Sequence, residues 1–509
     1  MAPSQVDETE RKFDVGTETV FPNLTAAEGV ASVGQPADLH LEAVYYDTQS
    51  HDLARGGMTL RRRTGGTDDG WTLKLPAGED TRTEVREPLG EAGDDIPEEL
   101  RTRVRGITRG RALAPVAALS TTRREYALHD ADGGVVARVT DDSVQARLLP
   151  AGGSDQAWRE WEVELDGGPA AALDTVAAVL LEAGATPAAA ASKLARALGE
   201  TLRAQPDRPG FDELPDGTAG RLWAEHVAEQ TARLHRYDAR LRAEPPDSVH
   251  RLRIAARTLR SALTTFGPVL DRTVTDPVRE ELRWLGQELA PARDAQVLRE
   301  HLLELTAAEP PELVIGTVAT RIDDELGADQ RDGLAKAHAT LDSERYLRLL
   351  DALDELLATP PLLPGAARSA RKVSRRLLAR DLRRLQRAVG EIADASGQSE
   401  RDAGYHEARK KAKRLRYAAE AVAPALGKRA RKLGKAAKAQ QQILGTHQDA
   451  VTARRRLREL GVEAHLAGEN GFTFGRLHGL EQARAERAEA EFESAWARFC
   501  RKQVPRWSH

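Results

Sequence analysis

Glu8 and Glu10 stand two residues apart near the start of the chain, and Glu162 and Glu164 repeat that spacing 154 residues later. On a strand, positions i and i+2 share a face. Two carboxylates so placed repel unless a cation lies between them. Grouped carboxylate oxygens suit a hard divalent ion such as Mg²⁺ or Mn²⁺. Lys12 continues the alternation after Glu10. Arg61 and Arg63, Lys74, and Arg82 with Glu84 fall on the corresponding face of later alternating segments, as does Glu160 beside Glu162. A solvated sheet face would mix the two signs. Here acids and bases are grouped by strand, and the cations exceed what the acids need. Converging guanidinium forks match phosphate oxygens. Together these residue types describe a site for a metal ion and a polyphosphate chain.

A second constellation lies on helical spacing. His250 is followed by Arg253, Arg257 and Arg260, and His406 by Arg409, Lys413 and Arg416. Offsets of +3, +7 and +10 put each set on one helix face about three turns long. Like charges so close disfavour a bare helix, which points to an anionic partner. Lys410 and Arg414 add to the second stripe. Lys428, Arg429, Arg431, Lys432, Lys435 and Lys438 extend the basic character on the next segment. Asp294 and Asp449 are placed to cap or orient these cations. Neither stripe has the close i,i+4 histidine pair of a two-histidine metal site.

The elements that must carry these residues follow from the pattern. Residues 5–165 read as strands separated by Gly- and Asp-rich turns, such as TGGTDDG, with a hairpin around Asp132-Gly133-Gly134. Residues 170–203 are Ala/Leu-rich and read as helical. The segment 204–217 reads as a linker on its prolines and glycines. From 218 onward the period is helical throughout, with breaks at Pro245-Pro246, Pro310-Pro311 and PPLLPG. The helical part repeats, at about 218–360 and 361–505. His250 and His406 are 156 residues apart, and Asp294 and Asp449, each followed by Ala, are 155 apart. A Leu-Gly pair precedes each aspartate, at Leu285-Gly286 and Leu444-Gly445.

The 75 Lys+Arg and 79 Asp+Glu of the 509 residues nearly cancel, but unevenly. Residues 1–200 hold 21 basic and 34 acidic residues, whereas 401–460 hold 17 basic and 5 acidic. Such a split implies two domains, the second facing a polyanion. The single cysteine, Cys500, excludes an intramolecular disulfide framework and a Cys-based zinc cluster. No Ser/His/Asp or Cys/His nucleophile constellation is evident. The start MAPSQVDETERK has no apolar core of a signal peptide, and no run of about 18 apolar residues occurs. The expected setting is therefore the cytoplasm, with no membrane. Nucleic acid is disfavoured as partner, because few aromatics interleave the basic stripes and no helix-turn-helix signal stands out.

Glu8-Thr9-Glu10-Arg11-Lys12 fits the ExExK signature of the CYTH domain, the triphosphate tunnel metalloenzymes. The resemblance runs in order through Tyr45-Tyr46-Asp47-Thr48, Leu60-Arg61-Arg62-Arg63, Trp71-Thr72-Leu73-Lys74, Arg82-Thr83-Glu84, Glu162-Val163-Glu164-Leu165 and Ser192-Lys193. It implies that residues 1–203 form an antiparallel eight-stranded β tunnel for a triphosphate chain and a divalent metal, Mg²⁺ or Mn²⁺. By position it implies Glu8, Glu10, Glu162 and Glu164 as metal ligands. Lys12, Arg61, Arg63, Lys74, Arg123 and Lys193 would grip phosphates. Arg82 and Arg138 join that substrate-binding set. Glu84 would sit in the tunnel on a second metal or a water, and Glu8, Glu10, Lys12 and Glu84 form the catalytic set. Parity with Arg138 and Thr140 favours Asp142 over Asp141 as a further metal ligand. Of the adjacent Arg123 and Arg124 only one can point inward. The implied chemistry is metal-assisted phosphoryl transfer to water. The alternatives are a tunnel that binds with little turnover, or adenylate cyclase activity.

The stripe His250-x-x-Arg253-x-x-x-Arg257-x-x-Arg260 and its copy resemble the CHAD domain, the conserved-histidine α-helical domain. That resemblance covers about 218–505 and implies an all-α, pseudo-symmetric double helical bundle over 218–509. It implies inorganic polyphosphate as partner, held by His250, Arg253, Arg257, Arg260, His406, Arg409, Lys410, Lys413, Arg416 and Lys435. Residues 1–509 as a whole are thus expected to be an α+β multidomain protein, acting on triphosphate-containing small molecules and on polyphosphate.

Overall fold

The structure, a computed structural model, describes residues 4–66, 69–78, 80–90, 95–149, 155–203, 213–243 and 245–507. Most of the expected linker, 204–212, lies outside the described residues, as do 67–68 of the TGGTDDG turn. The chain divides into two compact units, 1–207 and 208–509.

In the first unit the strands are β1 (Ser4–Val15), β2 (Ser32–Val33), β3 (Ala37–Asp47), β4 (Thr59–Thr64), β5 (Gly70–Pro76), β6 (Thr81–Glu87), β7 (Ala114–His129), β8 (Val135–Leu148), β9 (Gln156–Leu165) and β10 (Thr186–Pro187). All pairings are antiparallel. Eight strands run β1-β6-β5-β4-β3-β7-β8-β9 and close where β9 pairs back onto β1; β2 and β10 are short additions. β1 closes the barrel by changing partner midway. Ser4–Thr9 pair with β6 and Glu10–Val15 with β9. Closure leaves no open edge and gives every strand one inward face. The turn between β7 and β8 is tied by the Asp130 side chain, which accepts from Asp132 N and Gly134 N, with Gly133 at φ 83°.

The apolar alternate positions are buried as well. Phe13, Trp161 and Val163 pack against Leu173, Val176 and Leu180 of α3 (Ala171–Glu182). Leu60, Leu73 and Val85 are fully buried, as are Leu100 and Val104 of α2 (Glu98–Thr108). The reading of 5–165 as strands passed over α2 and the one-turn α1 (Asp52–Arg55). The cues to α2 were Leu100, Val104 and Ile107 at i, i+4 and i+7, with Glu98 and Glu99 in its first turn and Arg105 in its last complementing the helix dipole. α4 (Lys193–Arg203) lays Leu194, Ala197 and Leu198 on Ala43, Tyr45 and Leu119.

The second unit is all helical in its described longer elements. These are α5 (Ala219–Ala243), α6 (Pro245–Phe266), α7 (Arg272–Glu288), α8 (Ala290–Ala307), α9 (Val318–Asp342), α10 (Glu344–Ala358), α11 (Ala370–Gly390), α12 (Gln398–Ala421), α13 (Ala423–Leu426), α14 (Lys428–Leu466) and α15 (Phe472–Trp507). Trp223, Phe266 and Tyr346 anchor its core. The repeat-related helices α6 and α12 pack on each other. The halves differ at the Leu-Gly pairs. At the 155-residue offset Leu444-Gly445 corresponds to Leu289-Ala290, where α7 gives way to α8 with Pro291 in the first turn; α14 runs unbroken through the same region. Leu285-Gly286 stands one turn earlier, so the two Leu-Gly pairs are not equivalent in register. Among the described residues no helix is long and apolar enough to cross a membrane.

Candidate functional site

Antiparallel register decides which charges meet inside the barrel. Glu10 lies opposite Glu164 and Lys12 opposite Glu162 on β9; Glu8 lies opposite Arg82 on β6. Lys74 faces Glu84, Arg123 faces Asp142, and Arg138 faces Glu164. These side chains surround a cavity of about 490 Å³, within the range of small-ligand sites. Glu8, Glu10, Lys12, Arg61, Arg63, Lys74, Arg82, Arg123, Arg138, Glu162, Glu164 and Lys193 all line it. Glu84 and Asp142 are fully buried beside it through their ion pairs.

The pairing forms two carboxylate groups. In the first, Lys193 Nζ lies 2.8 Å from Asp142, 2.7 Å from Glu160 and 2.9 Å from Glu162. Arg123 grips Asp142 with two bonds of 2.8 and 2.7 Å and reaches Glu162 at 3.1 Å. Oxygens of these three acids come within 4.8 Å of one another, but the Lys193 ammonium already serves as their cation. In the second, Lys74 bonds Glu8 at 2.5 Å and Glu84 at 2.7 Å, Lys12 bonds Glu10 at 2.7 Å, and Arg86 lies 3.2 Å from Glu8. Glu164 belongs to this group by position, yet it makes no ion pair among the described residues.

The electrostatics follow. Burial and the nearby Glu8 push the Glu164 carboxyl up to about 7. Burial also raises Glu8, against the pull of Lys74. Burial opposes ionisation of Glu84 too, but Lys74 and Arg61 outweigh it and hold that carboxyl at about 2. Across the cavity, burial and then Arg61 and Arg123 push the Arg63 guanidinium down to about 9. One wall thus holds surplus carboxylate and another crowded cation. Hard oxygen donors at Glu8, Glu10 and Glu164, of which Glu164 alone makes no ion pair among the described residues, fit a divalent ion of the Mg²⁺ or Mn²⁺ type. Asp142 and Glu162 are more fully committed to Lys193, Arg123 and Lys12.

The two open choices resolve by parity. Arg123 and Asp142 face inward. Arg124 pairs with Asp38 in solvent, and Asp141 faces the other way onto Arg159 and the Trp161 indole. Several lining residues escaped the sequence reading. Arg86 and Glu125 share parity with Arg82 and Arg123 and could have been found that way. Tyr45, buried and hydrogen-bonded to Arg61, and the apolar wall of Leu39, Leu41, Ala43 and Leu119 carry no charge pattern to reveal them.

In the helical unit the two stripes converge. Burial and then Arg409 and Arg257 bring the Lys413 ammonium down to about 7, with Arg253 adding to it and Asp449 opposing. Arg253 bonds Asp294 at 2.9 Å and Arg409 lies 3.9 Å from Asp449, so both aspartates orient stripe cations. His406 Nδ1 is 2.6 Å from Gln448 Oε1; His250 is exposed. Arg260 is lowered by burial, Arg257 and Arg283. Beyond it Arg384 and Arg414 each lie 3.1 Å from the buried Asp381. Arg416 turns to Glu420 at 2.8 Å. Two expected members stand apart. Lys410 is exposed and tied to Glu407 at 2.8 Å, and Lys435 is exposed on α14 beside Arg431 and Lys438.

Family models match at both units: the CYTH domain over residues 7–198 and the CHAD domain over 225–458. Two proteins of Mycobacterium tuberculosis, MT2285 of strain CDC 1551 / Oshkosh and Rv2226 of strain ATCC 25618 / H37Rv, are each 41% identical over 508 residues, 97% of this chain and 96% of theirs. Among solved structures, PptA from Streptomyces chartreusis aligns at a TM-score of 0.47 and 25% identity, over 55% of this chain and 99% of that one. The CHAD domain from the plant Ricinus communis aligns at 0.42 and 27%, over 56% of this chain and 93% of that one.

Proposed function

The chain belongs to the CYTH and CHAD domain families, and on that premise we propose that its barrel hydrolyses inorganic triphosphate or a related triphosphate with a divalent metal, while its helical unit binds inorganic polyphosphate. The observation that carries this is the interior of the closed barrel, where the Glu164 carboxyl, without an ion pair among the described residues, joins Glu8 and Glu10 and faces crowded guanidinium groups. Glu8, Glu10 and Glu164 would hold Mg²⁺ or Mn²⁺, with Glu162 and Asp142 behind them. Such an ion would neutralise phosphate oxygens and acidify nearby water. Arg61, Arg63, Arg123 and Lys193 position the chain of phosphates and take up charge on the departing diphosphate as water oxygen replaces the bridging oxygen. Glu164 releases its proton when the cation binds. Glu84 stays ionised and fixes Lys74. The wall of Leu39, Leu41, Ala43 and Leu119 would also accommodate the organic group of a related triphosphate such as ATP or thiamine triphosphate.

In the helical unit Arg253, Arg257, Arg260, Arg409 and Lys413 present a line of half-buried cations whose charge an extended polyanion would neutralise. The reading is tested by phosphate release from tripolyphosphate, ATP and thiamine triphosphate with and without Mg²⁺, beside competition between long-chain polyphosphate and single-stranded DNA for binding. Metal-dependent release and preferential polyphosphate binding are expected. Metal-independent or absent release would leave the barrel a binding module.

A further inference from the structure

Away from both sites, α12, α14 and α15 bring a histidine and two carboxylates to one point. His447 is 1% exposed. Its Nε2 lies 3.4 Å from Asp402 Oδ1 and 3.1 Å from Glu489 Oε1. One ligand atom from each residue lies within 4.8 Å of the other two. Two atoms each about 2.1 Å from a shared ion, at octahedral or tetrahedral angles, stand roughly 3.0–3.4 Å apart. The two histidine–carboxylate separations are of that size.

Hydrogen bonding alone leaves this point short of protons and of positive charge. His447 Nδ1 is buried without a partner, so an imidazolium would bury an unsatisfied N–H. A neutral ring offers one Nε2 proton to two carboxylates. No Lys or Arg pairs with Asp402 or Glu489 among the described residues. Gln398 Nε2 donates to Asp402 at 2.8 Å and to Glu489 at 3.4 Å, which supplies dipole but no charge. The Tyr405 ring, 4.7 Å from the imidazole and itself backed by Phe492, restrains the His447 ring. The Asp402 and Glu489 side chains are about one-fifth exposed, so solvent reaches the point and can complete a coordination shell.

We propose that His447, Asp402 and Glu489 form a binding site for one divalent first-row transition ion of the Zn²⁺ or Co²⁺ type. The imidazole nitrogen separates it from the all-oxygen donors of the barrel and favours a borderline ion over Mg²⁺. The repeat does not duplicate it. The positions 155 and 156 residues earlier are Ala292 and Pro246, so the site belongs to the second half alone. The ion would bind α15 to α12 and α14.

The test uses the full chain with Glu8→Gln, Glu10→Gln and Glu164→Gln, which removes the three carboxylates assigned to the barrel's ion, titrated with Co²⁺ and followed by visible absorption. One equivalent is expected, with the intensity of a site of low coordination number. His447→Ala in that background should weaken binding more than roughly tenfold. The paired change Asp402→Asn with Glu489→Gln keeps the packed imidazole and should do the same; helix content by circular dichroism checks folding. No Co²⁺ bound by the background protein, or unchanged affinity in the paired variant, overturns the proposal. Hydrolysis is not read, so the outcome is independent of the function proposed for the barrel.

Discussion

The surroundings of Glu164 and Lys413 bring each group to about 7, and each carries a prediction. The Glu164 carboxyl titrates at about 7 against an ordinary 4.5. Between those values the folded protein keeps a proton that the unfolded chain has released, so stability falls as pH rises through that window. Glu164→Gln should therefore stabilise the metal-free protein at pH 8 by on the order of 1–3 kcal/mol and much less at pH 5. Thermal unfolding at the two pH values measures it. The same titration sets metal binding, so Mg²⁺ affinity should rise from pH 6 to pH 8. Lys413 has the opposite sense. Its ammonium, held at about 7 by burial, Arg409 and Arg257, is largely neutral at pH 8, and a bound polyanion would restore its proton. Polyphosphate binding should take up protons and weaken from pH 6.5 to pH 8.5. Lys413→Met should flatten that dependence, and titration calorimetry in buffers of different ionisation enthalpy reads the uptake.

At the scale of elements, what was legible in the sequence is what obeys a period. Glu8, Glu10 and Lys12 alternate, as do Arg61 with Arg63 and Glu162 with Glu164, and the barrel turns them all inward. The stripes from His250 and His406 keep helical spacing and meet where α6 and α12 pack. Closure was implied by the family resemblance and not by any period, because β1 changes partner between Thr9 and Glu10 and only register records it. The apolar wall on β3 and β7, and Tyr45, were not legible, since an inward leucine and a core leucine look alike in sequence. Asp381 stands alone among nine bases in residues 366–390 and is the buried centre of an arginine group, a role that no period signals. Close approach of helices is likewise silent in sequence. A Cβ on Gly333 of α9 would meet Ala292 N of α8 at 2.4 Å and its Cα at 2.6 Å, both backbone atoms. Gly333→Ala should force the two helices apart and cost roughly 1–3 kcal/mol, seen as a lower melting temperature of the helical signal.

For the whole molecule, the unequal charge of the two units is the main physical fact. The first 200 residues carry 34 acids against 21 bases, yet the charges that matter there are sequestered inside a barrel. The helical unit instead crowds cations along facing helices. On the proposed function, each arrangement would answer the same chemistry, multiply charged phosphate, by a different device, so the two activities should be separable. The most direct measurement follows both on one set of full-length proteins, recording Mg²⁺-dependent phosphate release and binding of long-chain polyphosphate. Glu8→Gln with Glu10→Gln should abolish release and leave binding intact, and His406→Ala with Arg409→Ala should do the reverse. Release that survives the first pair, or loss of both activities in either folded variant, would contradict the account.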